Sequence, residues 1–462
     1  MIPAGDTICA IATPPGEGGI GIIRLSGEKA IEIASRVYVG AAGRTVRDFK
    51  SHTLHHGELR STDTGTRLDE VLVAVMKAPR SYTREDVVEF HCHGGPFVLR
   101  KGLEALLQSG ARLAEPGEFT KRAFLNGRLD LAQAEAVMDL IQARSETGLR
   151  VAVEQLRGKL SEELGQIREG LVRLLIEVEA GIDFTEEGIT FISPRALANG
   201  IEKVQERITR LIRTADDGRI LREGVTVVLV GRPNVGKSSL LNALACRDRA
   251  IVTAIPGTTR DVLEEFVNVR GIPVRLLDTA GLREAMDVVE QEGVRRSYDS
   301  LEQADLVLAV LDGSLPLEPE DRRLIERAER KPTLVVVNKA DLPSRLELSP
   351  LRDLVGGARI VQTSAISGAG LDELKDAIRG AVLKESLDPR EGVMITHLRH
   401  RAALARAEDS LEQVLRSVEQ QMPAECIAVD LRAAMHAIGD IIGATTTDDI
   451  LERIFKEFCI GK

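Results

Sequence analysis

Gly231-Arg232-Pro233-Asn234-Val235-Gly236-Lys237-Ser238 decides the fold of the central part of this chain. The octapeptide matches G-x-x-x-x-G-K-[ST], follows the apolar stretch Val225–Val230 and precedes a helical pattern, which is the context of a phosphate-binding loop. Backbone N–H groups of such a loop point at phosphates, and the following helix adds its positive end. Lys237 is therefore expected to reach the β- and γ-phosphates, and the Ser238 hydroxyl to bind Mg²⁺.

Two further segments have the composition of loops that sense the nucleotide. Asp278-Thr279-Ala280-Gly281 follows an apolar stretch, so Asp278 is expected to support Mg²⁺ and the Gly281 N–H to approach the γ-phosphate. Gly257-Thr258-Thr259-Arg260-Asp261 lies between this segment and the phosphate loop. Its Thr259 hydroxyl is expected to close on Mg²⁺ as part of a switch segment.

The choice of base is predicted by two segments further along the chain. In Asn338-Lys339-Ala340-Asp341 the Asp341 carboxylate can accept hydrogen bonds from both N1 and N2 of guanine, a donor pair that adenine lacks. Lys339 is expected to pack its stem over the base, and Ser364-Ala365 to supply a backbone donor to the guanine O6. Four segments in this order predict that the bound nucleotide is GTP or GDP.

Apolar stretches alternate with helical patterns between Val225 and Leu383. This alternation predicts a mainly parallel sheet with helices on both faces. The predicted strands are Val225–Val230, Val274–Leu277, Leu306–Leu311, Leu334–Val337 and Arg359–Thr363.

The flanking parts have different patterns of apolar residues. Short β-like runs punctuated by glycine and proline, up to about Pro116, predict a small α+β domain. Beyond it, and again after Leu383, the apolar period is helical, as in the stripe of Leu131, Ala134, Met138 and Ile141. A last helix is expected to begin near Thr447-Asp448-Asp449 and to end at Gly461 in a left-handed turn. We therefore predict an N-terminal α+β domain (1–118), a discontinuous helical domain (119–220 and 384–462) and an inserted Ras-like P-loop GTPase domain (221–383).

Composition excludes several classes of protein. With 462 residues, 43% of them hydrophobic and 29% charged, the chain is expected to form several globular domains. It has no long uninterrupted apolar stretch and no secretory signal, so we expect a cytoplasmic protein without a membrane span. The five cysteines include no C-x-x-C pair, which argues against a zinc ribbon or a disulfide framework. A net charge of -10 excludes a globally basic nucleic-acid binder but not a local basic patch.

Beyond these motifs, the sequence resembles the MnmE (TrmE) family of tRNA-modification GTPases over essentially its whole length. The resemblance rests on the phosphate loop through Ser239, on Ile255-Pro256-Gly257-Thr258-Thr259-Arg260-Asp261 and on Asp278-Thr279-Ala280-Gly281-Leu282-Arg283. The discriminating segment is Phe458-Cys459-Ile460-Gly461-Lys462, supported by Ala12-Thr13-Pro14-Pro15-Gly16 and His93-Gly94-Gly95-Pro96.

The resemblance implies a GTPase that is activated by potassium and whose G domains dimerise across the nucleotide. Leu282 stands where Ras-like enzymes carry a water-orienting glutamine, and Glu290 aligns with the residue that takes this role in the family. Arg283 is a candidate to stabilise the switch, although a plain surface arginine is an equal alternative.

The nucleotide-binding and cation-binding set that the resemblance implies is Asn234, Val235, Gly236, Lys237, Ser238, Ser239, Thr253, Ala254, Ile255, Pro256, Gly257, Thr258 and Thr259. Within it, Asn234 and the loop carbonyls of Thr253, Ile255 and Thr258 would hold K⁺, and Ser238 and Thr259 would hold Mg²⁺.

For the outer domains the resemblance implies one-carbon chemistry on tRNA. The N-terminal domain would bind a 5-formyl-tetrahydrofolate-type folate through Arg24, Glu89, Arg128 and Lys462, and would build a homodimer. Cys459 would take part in the modification, which an FAD-containing partner, MnmG, would share. The product would be a C5 (carboxymethyl)aminomethyl group on the wobble uridine of tRNA.

Two other functions share the nucleotide motifs. A ribosome-assembly or translation-linked GTPase switch does not account for Cys459 or for the split helical domain. A nucleotide-gated scaffold whose hydrolysis is incidental predicts that Glu290 is dispensable, so loss of wobble-uridine modification after Glu290→Ala would exclude it.

Overall fold

The computed structural model describes residues 5–183, 192–248, 266–278, 304–328, 331–355, 358–383, 392–445 and 447–462. These residues fall into two compact units. The first contains the chain up to Met138 together with Gly439–Lys462, and the second lies between Asp139 and Ile438. The last helix and the terminal Cys-Ile-Gly-Lys segment therefore lie in the same compact unit as the N-terminal sheet.

The first unit is built on a seven-stranded sheet with the order β3-β4-β5-β6-β2-β1-β7. All neighbours are antiparallel except β1 and β7. The strands are β1 (Ile8–Ile11), β2 (Gly18–Ser26), β3 (Tyr38–Gly40), β4 (Thr53–Arg60), β5 (Arg67–Met76), β6 (Val87–Gly94) and β7 (Arg112–Leu113). Alternate residues of the strands are buried, for example Val71, Val73 and Val75 in β5, because only one face of the sheet packs on helices.

Helices of the first unit pack on or beside this sheet. Helices α1 (Ala30–Val37) and α2 (Pro96–Gln108) cover the buried face, and α2 begins with a proline at a position where the missing N–H costs nothing. The short helix α3 (Glu118–Leu125) packs against α15 (Asp448–Lys456) near the end of the chain. Phe455 and Phe458 form a small core with Leu131, Ala134 and Met138 at the start of α4 (Leu131–Gln142).

The second unit contains a six-stranded sheet with the order β13-β12-β11-β8-β10-β9. It is parallel except for the antiparallel pair of β9 and β10. The strands are β8 (Val225–Val230), β9 (Phe266–Val269), β10 (Ile272–Asp278), β11 (Leu306–Asp312), β12 (Thr333–Asn338) and β13 (Ile360–Gln362). Every residue of β11 is buried, as expected for a central parallel strand covered on both faces.

Helices cover both faces of this sheet. One core contains Val227 and Leu229 with residues of α9 (Lys237–Asp248) and α12 (Leu371–Val382). The other contains Val228 and Val230 with residues of α10 (Pro319–Ala328) and α11 (Leu348–Leu354). The prediction of a mainly parallel sheet with helices on both faces is confirmed, and each predicted strand occurs, with its bounds shifted by at most two residues.

The remaining helices of the second unit form a bundle. They are α5 (Glu146–Leu156), α6 (Lys159–Asp183), α7 (Pro194–Arg213), α8 (Ala215–Glu223), α13 (Leu398–Glu419) and α14 (Ala424–Ile442). Helix α7 packs against both α6 and α13, so helices from both sides of the inserted sheet share one bundle. None of the described helices combines the length and the apolar character that a membrane crossing requires.

The helical stripe of Leu131, Ala134, Met138 and Ile141 lies within α4, with the first three buried and Ile141 exposed near the end of the helix. One local prediction was wrong. Gly461 does not end a helix, because α15 stops at Lys456. Gly461 instead has φ +93° in a turn packed against β1, where a Cβ would overlap the carbonyl oxygen of Ile11.

Candidate functional site

The phosphate-binding loop connects β8 to α9. Gly236 has φ +97° and lies so close to Asn338 that a Cβ would overlap the Asn338 amide nitrogen. Asn234 also has a positive φ, +62°, which asparagine tolerates better than most residues, and it is exposed. The buried Lys237 ammonium donates to the carbonyl oxygens of Gly231 at 2.8 Å and Arg232 at 2.9 Å. Two carbonyl groups of the loop therefore bind the Lys237 amine, which the sequence predicts to bind the nucleotide phosphates.

Asn338 connects the phosphate loop to the predicted base-binding loops. It is the last residue of β12 and is buried. Its side-chain amide donates to the carbonyl of Val235 at 3.0 Å, and its side-chain oxygen accepts from the backbone N–H of Ala365 at 3.2 Å. One buried amide thus fixes three loops at the carboxyl ends of parallel strands, where this class of fold binds ligands.

Lys339 is held by a residue that the motifs do not include. Its ammonium lies 2.6 Å from a carboxylate oxygen of Asp312, the last residue of β11, and its backbone has φ +64°. Burial opposes the charge of Asp312, but hydrogen bonds from Lys339 and Ser314 outweigh this effect and lower the pKa of the carboxyl group. Asp312 orients the stem of Lys339, and only its position at the end of an apolar run could have signalled it in the sequence.

Asp341 and Ser364 lie together at the same edge of the sheet. The buried Ser364 hydroxyl donates to the Asp341 carboxylate at 2.6 Å and also accepts from the backbone N–H of Ser367 at 3.1 Å. The Asp341 residue itself is exposed. The structure therefore brings Asn338, Lys339, Asp341 and the Ser364-Ala365 loop into one site.

The predicted Mg²⁺ residues are described only in part. Asp278 ends β10, which pairs with β8, so the D-T-A-G segment begins beside the strand that leads into the phosphate loop. Ser238 and Ser239 lie in the first turn of α9. The other predicted residues lie outside the described part of the chain: Thr253, Ala254, Ile255, Pro256, Gly257, Thr258, Thr259, Thr279, Ala280, Gly281, Arg283 and Glu290.

A second site lies in the first unit, on the sheet face opposite α1 and α2. Arg24 and Glu89 are direct cross-strand neighbours in β2 and β6, and the guanidinium Nε lies 2.7 Å from the carboxylate. Both side chains are largely buried, with 17% and 16% of their surface exposed. The second nitrogen of the Arg24 guanidinium donates to the carbonyl of Gly461 at 3.2 Å.

The guanidinium groups of Arg24 and Arg128 both lie beside the ring of Tyr82. The Arg24 guanidinium lies 5.8 Å and that of Arg128 4.9 Å from the centroid of the Tyr82 ring, within the range of cation–π interaction. The hydroxyl of Tyr82 lies 2.8 Å from that of Thr120 in α3, which fixes the ring. Sequence analysis missed Tyr82, because an isolated tyrosine in a loop carries no motif.

The terminal segment closes this site on one side. The backbone N–H of Gly117 donates to the carbonyl of Cys459 at 3.3 Å, and that of Phe119 donates to the main-chain oxygen of Lys462 at 3.2 Å. Burial and the nearby Arg24 guanidinium lower the pKa of the Lys462 amine. Cys459 is exposed. All four predicted folate residues and Cys459 are therefore found around Tyr82 and the terminal segment.

Comparison with known proteins identifies the family. The chain matches the family described as "MnmE helical domain" over residues 131–459 and the family described as "GTP-binding protein TrmE N-terminus" over residues 7–128. It is 48% identical over 457 residues to the tRNA modification GTPase MnmE of Alkaliphilus oremlandii, covering 99% of each chain. It is 50% identical over 464 residues to the protein of the same name from Heliobacterium modesticaldum, covering 99% of this chain and 100% of the relative.

Among solved structures, the G domain of the FeoB iron transporter of T. maritima is 26% identical, with a TM-score of 0.26, and covers 34% of this chain and 99% of its own. That score is too low to support an argument about the fold. The two family matches and the full-length relatives, together with a guanine-nucleotide site at the carboxyl edge of a parallel sheet, show that the chain is a GTP hydrolase that belongs to the MnmE family of tRNA modification GTPases.

Proposed function

We propose that this chain couples potassium-activated GTP hydrolysis to C5 (carboxymethyl)aminomethyl modification of the wobble uridine of tRNA. It acts as a homodimer, together with the FAD-containing partner MnmG. The observation that carries the proposal is the terminal segment, which bears an exposed Cys459 and accepts a hydrogen bond from Arg24 in a chain that also has a guanine-nucleotide site. The family membership and the names of the relatives support the tRNA substrate.

The residues of the second unit fit GTP with Mg²⁺ and K⁺. Asp341, Lys339 and the Ser364-Ala365 loop bind guanine, while Lys237 and the loop N–H groups bind the phosphates. The Ser238 hydroxyl and the carboxyl end of β10 supply the hard oxygen ligands that Mg²⁺ prefers. The exposed Asn234 offers an amide oxygen of the same chemistry to a monovalent cation. Such a cation beside the phosphates offsets the negative charge that develops during hydrolysis.

The residues of the first unit fit a folate. Arg24, Arg128 and Lys462 bring three cationic groups to the site against one carboxylate, Glu89, which favours an anionic ligand. Tyr82 offers an aromatic face beside them, and aromatic faces stack on flat heterocycles such as a pterin. We infer that these residues bind a 5-formyl-tetrahydrofolate-type cofactor and orient it toward Cys459.

Hydrolysis of GTP in KCl and in NaCl of equal concentration, with MgCl₂ present, tests the potassium-dependent part of the proposal. We expect the rate in potassium to exceed that in sodium by about tenfold or more, because one well-placed charge at a developing anion contributes on this scale. Asn234→Gly keeps the positive φ without the side-chain oxygen and is expected to abolish the difference, while Asn234→Asp retains an oxygen and serves as the matched control. Equal rates in the two salts for the unmodified chain would refute potassium activation.

A further inference from the structure

The hairpin of β9 and β10 connects the two segments predicted to sense the nucleotide. Phe266, its first residue, follows in sequence the loop that contains Thr253–Thr259. Asp278, its last residue, begins the D-T-A-G segment. Whatever fixes this hairpin therefore fixes one end of each segment.

The helical bundle contacts the hairpin at both of its ends. The Arg144 guanidinium, from the connection between α4 and α5, lies 3.8 Å from the centroid of the Phe266 ring. At the turn of the hairpin, Gly271 has φ +87° and lies so close to Thr147 of α5 that a Cβ would overlap the Thr147 hydroxyl oxygen. These contacts come from residues outside the inserted sheet and its own helices.

The element that carries Arg144 is rigidly built. Ser145 caps α5 by accepting from the backbone N–H of Gly148 at 3.0 Å. Gly148 packs against α8, where a Cβ would lie 2.7 Å from the carbonyl oxygen of Leu221. Val151 of α5 and Leu221 belong to the same buried core as Val274 of β10. The hairpin and these helices therefore share one buried core.

We propose that Arg144 is a positioning residue for GTP hydrolysis, through which the helical bundle fixes the hairpin of β9 and β10. Its guanidinium holds the Phe266 ring at the start of β9, and β9 pairs with β10, which ends at Asp278, the predicted support for Mg²⁺. Guanine affinity does not depend on this contact, because the base is bound by loops that follow β12 and β13, at the other side of the sheet. The contact between Arg144 and Phe266 thereby couples the helical bundle to the nucleotide site.

The test is the steady-state hydrolysis of GTP by the full chain, with GDP affinity measured in parallel. Arg144→Gln removes the charge and is expected to lower kcat by about 3- to 10-fold, the range of one partly desolvated cation–π contact. The Kd for GDP and the melting temperature should stay unchanged. Arg144→Lys keeps a cation over the ring and should recover most of the loss. Arg150→Ala is the matched control, because among the described residues Arg150 forms its ion pair within α5, with Glu146 at 3.1 Å.

A double-mutant cycle makes the assignment specific to the pair of side chains. In a Phe266→Leu background, which removes the ring but keeps an apolar side chain, the difference in kcat between Arg144→Gln and Arg144→Lys should be smaller than in the unmodified background. A kcat for Arg144→Gln within 1.5-fold of the unmodified chain would overturn the proposal; this limit is about the error of such assays. So would an equal loss in Arg150→Ala, or a loss of GDP affinity that accompanies the loss of kcat.

Discussion

Asp312 and Lys339 form one ion pair at the carboxyl ends of two neighbouring strands, β11 and β12. A lysine ammonium on a four-carbon stem is mobile unless its charge is held, and the Asp312 carboxylate holds it at 2.6 Å. The backbone of Lys339 has a positive φ, which is uncommon for a residue other than glycine. Asp312 thus fixes the charged end of the stem that is predicted to pack over the base.

Asp312→Asn should weaken GDP binding by about tenfold, because an amide replaces a charge-assisted hydrogen bond with a neutral one. Titration with a fluorescent GDP analogue measures the effect. Asp305→Asn is the matched control: Asp305 precedes the other end of β11, where its carboxylate accepts from Thr226, and the change should leave binding unaltered. Equal weakening in both variants would show that the loss arises from damage to the strand.

The same residue predicts a pH dependence. The folded-state pKa of Asp312 is lowered, so the stability it contributes is fully present above the pKa of the unfolded chain and is lost as pH falls through the folded value. In Asp312→Asn the decline of GDP affinity on acidification below about pH 4 should be shallower than in the unmodified chain. Binding curves from pH 6 to the acid limit measure this slope, and parallel curves would contradict the role of the carboxylate.

At the scale of elements, the terminal segment is hydrogen-bonded to the start of α3. Two backbone hydrogen bonds run from Gly117 and Phe119 to the terminal segment, and the Arg24 guanidinium binds the Gly461 carbonyl. Gly461 is buried against β1 and has no room for a Cβ. The position of Cys459 therefore depends on a glycine two residues away.

Gly461→Ala should displace the terminal segment and weaken binding of 5-formyl-tetrahydrofolate at least tenfold, with GTP hydrolysis unchanged. The reason is a steric overlap with the Ile11 carbonyl, added to the strain of a positive φ. Gly65→Ala is the matched control, because Gly65 has φ +64° but nothing within 4 Å of a Cβ. If both variants bind the folate equally well, the terminal segment is not part of that site. Equilibrium dialysis gives the affinities.

A buried ionic cluster ties α3 to the start of the chain. The Arg122 guanidinium, with 4% of its side chain exposed, lies 2.5 Å from Asp6, 3.1 Å from Glu85 and 3.5 Å from Glu118. Burial opposes the charges of Asp6 and Glu118, but hydrogen bonds from Arg112, together with the charge of Arg122, outweigh it and lower the pKa of both carboxyl groups.

Arg122→Met should lower the free energy of unfolding of the first unit by about 1.5–3 kcal/mol, because Asp6, Glu85 and Glu118 lose a buried charged donor, although Arg112 still pairs with Asp6 and Glu118. Hydrogen exchange in α3 and β1 measures the local loss. The exposed pair of Arg67 with Glu70 provides the control, since Arg67→Met should cost less than about 1 kcal/mol. Similar protection factors in the two variants would mean that the buried cluster contributes no more than a surface pair.

At the scale of the whole molecule, local patterns predicted the inserted sheet well and the assembly of the outer parts poorly. Strand β8 was predicted with its observed bounds, because a parallel strand buried on both faces is a continuous apolar run between two punctuated loops. The docking of α15 and Gly461 on the N-terminal sheet joins residues more than 400 positions apart, and no local period reports such a contact. Asp312 and Tyr82 were missed for the same reason, since each acts through a neighbour that is distant in sequence.

If the nucleotide hydrolysed at this G domain drives modification of tRNA, a change in the base that the domain accepts should change which nucleotide supports the modification. Asp341→Asn replaces an acceptor with a donor, so the site should lose GTP and accept the xanthine nucleotide XTP, whose ring carries an oxygen where guanine has its amino group.

In a reconstituted reaction with the FAD-containing partner, tRNA and a folate one-carbon donor, mass spectrometry of the wobble nucleoside reports the product. We expect the Asp341→Asn chain to modify tRNA with XTP and not with GTP, and the unmodified chain to do the reverse. Modification by the variant at the same rate without XTP would show that hydrolysis at this G domain does not drive the reaction.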